Sequence, residues 1–139
     1  MVTSELLERL KSAYQAWHDS RGASADEWMG LMADGVELRS VADGAPGLEF
    51  SAPRKGKHTA HGYFSALNND WEMIYHYADE FLADGDRVVV FCRVSFRHRK
   101  TGKVAESPSV HRWRFLNGEA VEFFEFYDTA KAFAATRPD

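Results

Sequence analysis

The chain has 139 residues, 45% of them hydrophobic and 27% charged, which suits one globular domain and is too short for two. Its 17 basic and 21 acidic residues leave a net charge of −4, without the basic excess that nucleic-acid binding requires. The single cysteine, Cys92, excludes an internal disulfide and a paired-cysteine zinc motif.

A first helix is predicted where Leu6, Leu7, Leu10, Ala13, Tyr14 and Trp17 recur at helical spacing, with Ser4 as N-cap and Gly22 as stop. A second, short helix starts near Ser24 or Asp26, carries Trp28, Leu31 and Met32 on one face, and ends at Gly35. Val36 to Val41 reads as a strand. Residues 42–56 hold Gly44, Pro46, Gly47, Pro53 and Gly56, a loop with at most a short strand around Leu48 to Phe50, placed to act as a lid or pocket rim. A third helix fits Lys57 to Leu67, with Ala60, Tyr63, Phe64 and Leu67 on one face.

Four strands follow, from Trp71 to Leu82, Arg87 to Arg99, Lys103 to Leu116 and Ala120 to Tyr127. The turns are marked by Asp84-Gly85-Asp86, Thr101-Gly102 and Asn117-Gly118, the last being the strongest short hairpin signal. A terminal helix covers Thr129 to Ala135. Segregated helices and an antiparallel meander make an α+β domain. The longest apolar run read as structural, Val88 to Cys92, is far too short to span a bilayer. No signal-peptide pattern opens the chain, and Cys92 reads as a small buried hydrophobe, so a cytoplasmic location is expected.

Side chains alternate across a strand. Val88, Val90, Cys92, Val94 and Phe96 form a core face; Val89, Phe91, Arg93, Ser95 and Arg97 form a mixed one suited to a pocket wall or a wet interface. His111 shares a face with Trp113 and Phe115. Phe124, Phe126 and Asp128 align opposite Val121, Phe123, Glu125 and Tyr127. Large apolar groups on both faces of that last strand call for cover on both sides, by helices on one and a second copy of the chain on the other, hence a homodimer through the outer face of the sheet.

These elements and their order resemble the SnoaL-like branch of the nuclear-transport-factor-like superfamily, which includes ketosteroid isomerase, limonene epoxide hydrolase and polyketide cyclases. The resemblance rests on Leu31-Met32-Ala33-Asp34-Gly35-Val36, on Gly56 before the helix ending Tyr63-Phe64-Ser65-Ala66-Leu67, and on Trp113-Arg114-Phe115 running through Asn117-Gly118 to Phe126-Tyr127-Asp128-Thr129-Ala130. It spans nearly the whole chain and implies a cone-shaped, curved antiparallel sheet wrapped by about three helices, with a short C-terminal helix. It also implies a small apolar ligand, dimers, and no cofactor or metal. Such folds host enzymes and non-enzymes alike.

Carried over residue by residue, the resemblance is partial. Tyr14 is similar in placement to the isomerase tyrosine that donates to an oxyanion. The isomerase base position falls on Arg39 or Ser40, leaving only Glu37 in a shifted register, and His111 falls near its second oxyanion donor. Asp128 is similar to the aspartate that ends the last strand of the epoxide hydrolase, with Arg93 standing for its arginine and Ser95 where a carboxylate is wanted. In the cyclases a His and an Asp act as acid and base, roles His111 and Asp128 can fill.

Each candidate has a plainer reading. His111 is either an acid/base group or a core histidine satisfied by backbone. Asp128 is either a proton carrier or the N-cap of the last helix. Tyr14 either donates into the pocket or packs in the core. Arg93, if inward, needs Glu125, Asp128 or an anionic ligand as partner; otherwise it is exposed. Trp17, Trp28, Tyr63, Trp113, Phe124 and Phe126 are the expected aromatic lining. His58 and His61 read as a surface pair rather than a metal site. The expected activity is acid/base chemistry of isomerase, cyclase or hydrolase type on a small apolar carbonyl compound; the alternative is a binding module without chemistry.

Overall fold

A computed structural model describes residues 1–139. Helix α1 (Ser4–Asp19) and helix α2 (Ala25–Leu31) precede strand β1 (Met32–Ser40). A 3-10 turn (Glu49–Ser51) and the two-residue strand β2 (Arg54–Lys55) lead into helix α3 (Lys57–Asp70). Strands β3 (Trp71–Asp84), β4 (Arg87–His98), β5 (Val104–Leu116) and β6 (Glu119–Tyr127) form the meander, and helix α4 (Thr129–Thr136) closes the chain. No helix is long and apolar enough to cross a membrane.

The cap of α1 lies one residue earlier than expected: Oγ1 of Thr3, not Ser4, accepts from the Leu6 amide at 3.1 Å. The apolar stripe of α1 then buries Leu6, Leu10, Ala13, Tyr14 and Trp17. Helix α2 stops at Leu31, so Met32 and Gly35 belong to β1 and not to the helix. Residues 42–56 form no strand at Leu48–Phe50; the 3-10 turn there seats Leu48 and Phe50 in the core. It is pinned from within: Ser51 Oγ donates to Leu48 O and accepts from Gly44 N, and the Arg54 guanidinium donates to Phe50 O and Ala52 O.

The six strands run in the order β2-β1-β6-β5-β4-β3 in one curved, unclosed sheet. The meander is antiparallel throughout, but β1 joins β6 in parallel, which makes the sheet mixed. The parallel joint follows from connectivity. β1 reaches β6 only after the chain has passed through α3 and four other strands, so no hairpin fixes its direction.

Asn117 and Gly118 take positive φ, 51° and 79°, as a two-residue hairpin requires. Across this turn Leu116 pairs with Glu119 and Phe115 with Ala120. One step on, Arg114 pairs with Glu122, so Val121 is an extra residue in β6. This bulge reverses which side chains of β6 face inward over the rest of the strand.

Helix α1 packs on β3, α3 on β1 and α4 on β5, all over the concave face of the sheet. Val88, Val90, Cys92, Trp113, Phe115 and Phe123 rise from that face into one buried cluster with the helices.

Candidate active site

The concave face and the helices enclose a cavity of about 90 Å³, lined mostly by apolar and aromatic side chains. Tyr14 and Trp17 reach it from α1, Trp28 from α2, Tyr63 from α3, and His111 and Trp113 from β5. Trp28 stacks on Trp113 with ring centroids 5.5 Å apart, and Tyr14 meets the Trp28 edge at 4.8 Å. Six of the expected residues therefore converge on one space.

Of the four remaining expected residues, three stand outside the cavity and one lies at its border. Phe124 and Phe126 stand on the outer face, stacked on each other at 4.4 Å, with the Arg39 guanidinium 4.5 Å from the Phe124 ring. The bulge at Val121 is the reason: it turns Phe123, Glu125 and Tyr127 inward. Arg93 is also outside, gripping Asp79 through Nε at 2.7 Å and Nη2 at 2.9 Å, over the Tyr77 ring. Its β4 neighbours Cys92 and Val94 take the buried face, and strand alternation sends Arg93 to solvent. Asp128 borders the cavity, but its side chain is exposed, and Oδ1 accepts from the Lys131 amide at 3.1 Å as the N-cap of α4.

The carboxyl group that does enter the cavity is Glu125, which the sequence reading treated only as a partner for Arg93. It is 5% exposed. The Tyr63 hydroxyl donates to its Oε2 at 2.9 Å, while Oε1 has no hydrogen-bond partner. Burial pushes the carboxyl up to about 7, against the stabilising hydroxyls of Tyr63 and nearby Ser40. Ser40 Oγ itself pairs with the Tyr127 hydroxyl at 2.8 Å.

His111 lies directly across from Glu125 in the β5–β6 ladder, with Nε2 4.0 Å from Oε2. Its Nδ1 is 2.6 Å from the Tyr14 hydroxyl, and the Trp113 indole donates to that same hydroxyl at 2.8 Å. Burial, reinforced by neighbouring His76, holds the His111 imidazole well below its ordinary range and therefore neutral near pH 7. Burial lowers His76 to about 4, and its Nδ1 has no partner. Burial also raises the hydroxyls of Tyr14 and Tyr63, with Cys92 and Glu125 respectively adding to the shift, so both act as proton-bearing donors.

His76, Cys92 and His111 bring ligand atoms within 4.8 Å of one another. Cys92 would have to lose its proton to take a metal ion, and burial holds the thiol protonated up to about 12.

A neutral imidazole, a buried carboxyl that titrates near neutrality and two phenols at one end of an apolar cavity can move a proton to or from a bound carbonyl compound. Glu125 had one sequence signal, the only acidic residue on its face of the strand; the missing information was which face turned inward.

A family model described as a SnoaL-like domain matches residues 10–123. An NTF2-like protein of unknown function from Burkholderia pseudomallei superposes with a TM-score of 0.83 at 24% identity, over 96% of this chain and 98% of that one. A protein from Jannaschia described as a SnoaL-like polyketide cyclase gives 0.78 at 15% identity, over 97% and 93%. TerC, co-crystallised with polyporic acid, gives 0.77 at 20% identity, over 96% and 98%. At these identities the likeness is one of fold. No curated protein matches the sequence.

Proposed function

The chain belongs to the SnoaL-like domain family, and we propose that it is a cofactor-independent acid/base enzyme of isomerase or cyclase type, acting on a small apolar carbonyl compound. The observation that carries this reading is the Glu125 carboxyl, buried in an apolar cavity with Oε1 unpartnered and its titration raised to about 7. A general base is most effective when its pKa lies near the working pH. Glu125 would take a proton from the carbon beside the carbonyl, the C–H electron pair moving onto the carbonyl oxygen. In a β,γ-unsaturated ketone the resulting dienolate would be reprotonated by Glu125 at the γ carbon; in a compound with a second carbonyl the enolate would attack that carbon to close a ring, and the new alkoxide would take back the proton from Glu125.

The role assigned from the sequence to Asp128 passes to Glu125 in this reading, because Asp128 spends an oxygen on the backbone of α4. Tyr14 and His111 keep a place beside the reacting group, and Trp17, Trp28, Tyr63 and Trp113 supply the aromatic walls. The cavity of about 90 Å³ favours a compact substrate; sites for drug-sized ligands run from roughly 300 Å³ upward.

The chain is further proposed to act as a homodimer in the cytoplasm. Support for the dimer comes from Phe91, Val110 and Phe126, which lie side by side across three strands of the outer face. Phe91 and Phe126 are 38% and 43% exposed. Support for the compartment comes from the unpaired, buried Cys92 thiol.

The experiment is solvent-deuterium exchange of compact cyclic ketones such as cyclopentanone, followed by proton NMR. The protein should accelerate loss of the α-proton signal, and Glu125→Gln should slow it by a factor on the order of 10² to 10⁴. Exchange untouched by Glu125→Gln would sink the assignment. A ketone that raises the melting temperature without exchanging would favour the alternative, a non-catalytic binding module of the same fold.

A further inference from the structure

The indole N–H of Trp113 can donate a hydrogen bond and cannot accept one. At 2.8 Å from the Tyr14 hydroxyl, it makes that oxygen an acceptor. The Tyr14 side chain is buried, so its own proton also needs a partner inside the protein. The acceptor within reach is His111 Nδ1, at 2.6 Å. The reverse arrangement, with Nδ1 donating to Tyr14, would give one oxygen two incoming protons and leave its own proton stranded in an aromatic cage. The chain therefore runs one way, from Trp113 to Tyr14 to His111.

We infer that Trp113 and Tyr14 are positioning residues that lock His111 as the neutral Nε2–H tautomer, so that His111 presents a hydrogen-bond donor beside Glu125 to an oxygen of the ligand. Nε2 lies 4.0 Å from Glu125 Oε2, too far for a direct hydrogen bond. A ligand carbonyl oxygen about 2.9 Å from Nε2 would accept its hydrogen bond and leave the Glu125 carboxylate free to act on the neighbouring carbon. The unpartnered Oε1 leaves the carboxyl a second position from which to exchange a proton with a neighbouring carbon. The ligand this polarity selects bears a carbonyl or enol oxygen at one end of an otherwise apolar body. A carbonyl oxygen gaining negative charge would draw the Nε2–H donor closer, while His111 stays neutral throughout.

Assignment of that donor to a reacting oxygen rests on the acid/base reading above; the tautomer itself does not, and the two are tested separately. Two-bond proton–nitrogen correlation spectra of ¹⁵N-labelled protein at pH 7.5, with His111 identified by its loss in His111→Gln, report which ring nitrogen carries the proton. The expected result is Nε2–H in the unmodified protein. Tyr14→Phe, which keeps the ring and removes the donor, should convert this to a mixture of both tautomers, and Trp113→Phe should move the ratio toward Nδ1–H. An Nδ1–H tautomer or an imidazolium in the unmodified protein would overturn the inference, and so would a tautomer that both variants leave unmoved. Should either variant fail to fold, the spectrum of the unmodified protein still decides. With the tautomer established, failure of the ketone-exchange experiment would remove the enzyme reading and leave the locked histidine standing as a ligand donor.

Discussion

The Tyr63 hydroxyl donates to Glu125 Oε2 across 2.9 Å, reaching from α3 to the strand beneath it. This bond favours the ionised carboxylate, whereas burial favours the neutral acid, and burial dominates. Tyr63→Phe deletes the opposing influence and should move the Glu125 titration further above about 7. The pH–rate profile of ketone exchange should shift its rising limb to higher pH. Activity lost at neutrality should then return under alkaline conditions. A profile that drops evenly at every pH would show that Tyr63 acts in some other way.

Stability should also carry the mark of Glu125. Its carboxyl titrates near about 7 when folded, against an ordinary value of 4.5. Between those values the folded chain holds a proton that the unfolded chain has released, so stability falls as pH rises through this window. The penalty is absent below the lower value and complete above the upper one, where it amounts to about 3 kcal/mol. His76 works in the opposite sense. Its imidazole is lowered to about 4 from 6.5, so stability is lost as pH falls through that range. Urea unfolding across both ranges should find Glu125→Gln more stable than the unmodified protein by about 1–3 kcal/mol on the alkaline side. In acid the two should converge. Equal stability at alkaline pH would contradict the buried-charge account.

Asp128 is expected to behave as a cap. Asp128→Ala removes the acceptor for the Lys131 amide and should cost about 1 kcal/mol in urea unfolding. Asp128→Asn, which caps nearly as well, should cost little. Neither should change the rate of ketone exchange by more than a few-fold. A loss comparable with that of Glu125→Gln would return the proton-carrying role to Asp128.

The outer face gives a prediction about assembly. Phe91 pairs with Val110, and Val110 with Phe126, in a continuous apolar row. In sedimentation velocity at micromolar concentration the protein should run as a dimer, and Phe126→Glu should yield the mass of one chain. The variant should still fold, because Phe126 is 43% exposed in the single chain, but with a lower melting temperature once the stabilisation from association is gone. A single-chain mass for the unmodified protein would remove the dimer proposal.

Much of the architecture was legible along the chain because it is encoded locally. Helical spacing of Leu6, Leu10, Ala13, Tyr14 and Trp17 located α1 and its buried face, since amphipathic periodicity is a property of neighbouring residues. Asn117-Gly118 located the last hairpin because few dipeptides accept two consecutive positive φ angles. The order of the elements was enough to recognise the fold, and Tyr14, Trp17, Trp28, Tyr63, His111 and Trp113 line one cavity.

The inward carboxylate was a different matter. Continuing the register of the Asn117-Gly118 turn unbroken would set His111 opposite Phe124 and turn Phe124 and Phe126 into the cavity. A single extra residue, Val121, sets His111 opposite Glu125 and sends both phenylalanines outside. Nothing in the local pattern marks that bulge, because both alternatives put large apolar side chains on each face of β6. Packing of the whole sheet against α1 and α3 selects between them, and strand alternation carries the choice along every residue that follows. The hydrogen bond between Tyr14 and His111 joins positions 97 residues apart. Sequence alone therefore determined the elements, their order and the aromatic character of the interior; the tertiary structure decided which acid enters it and which way the protons point.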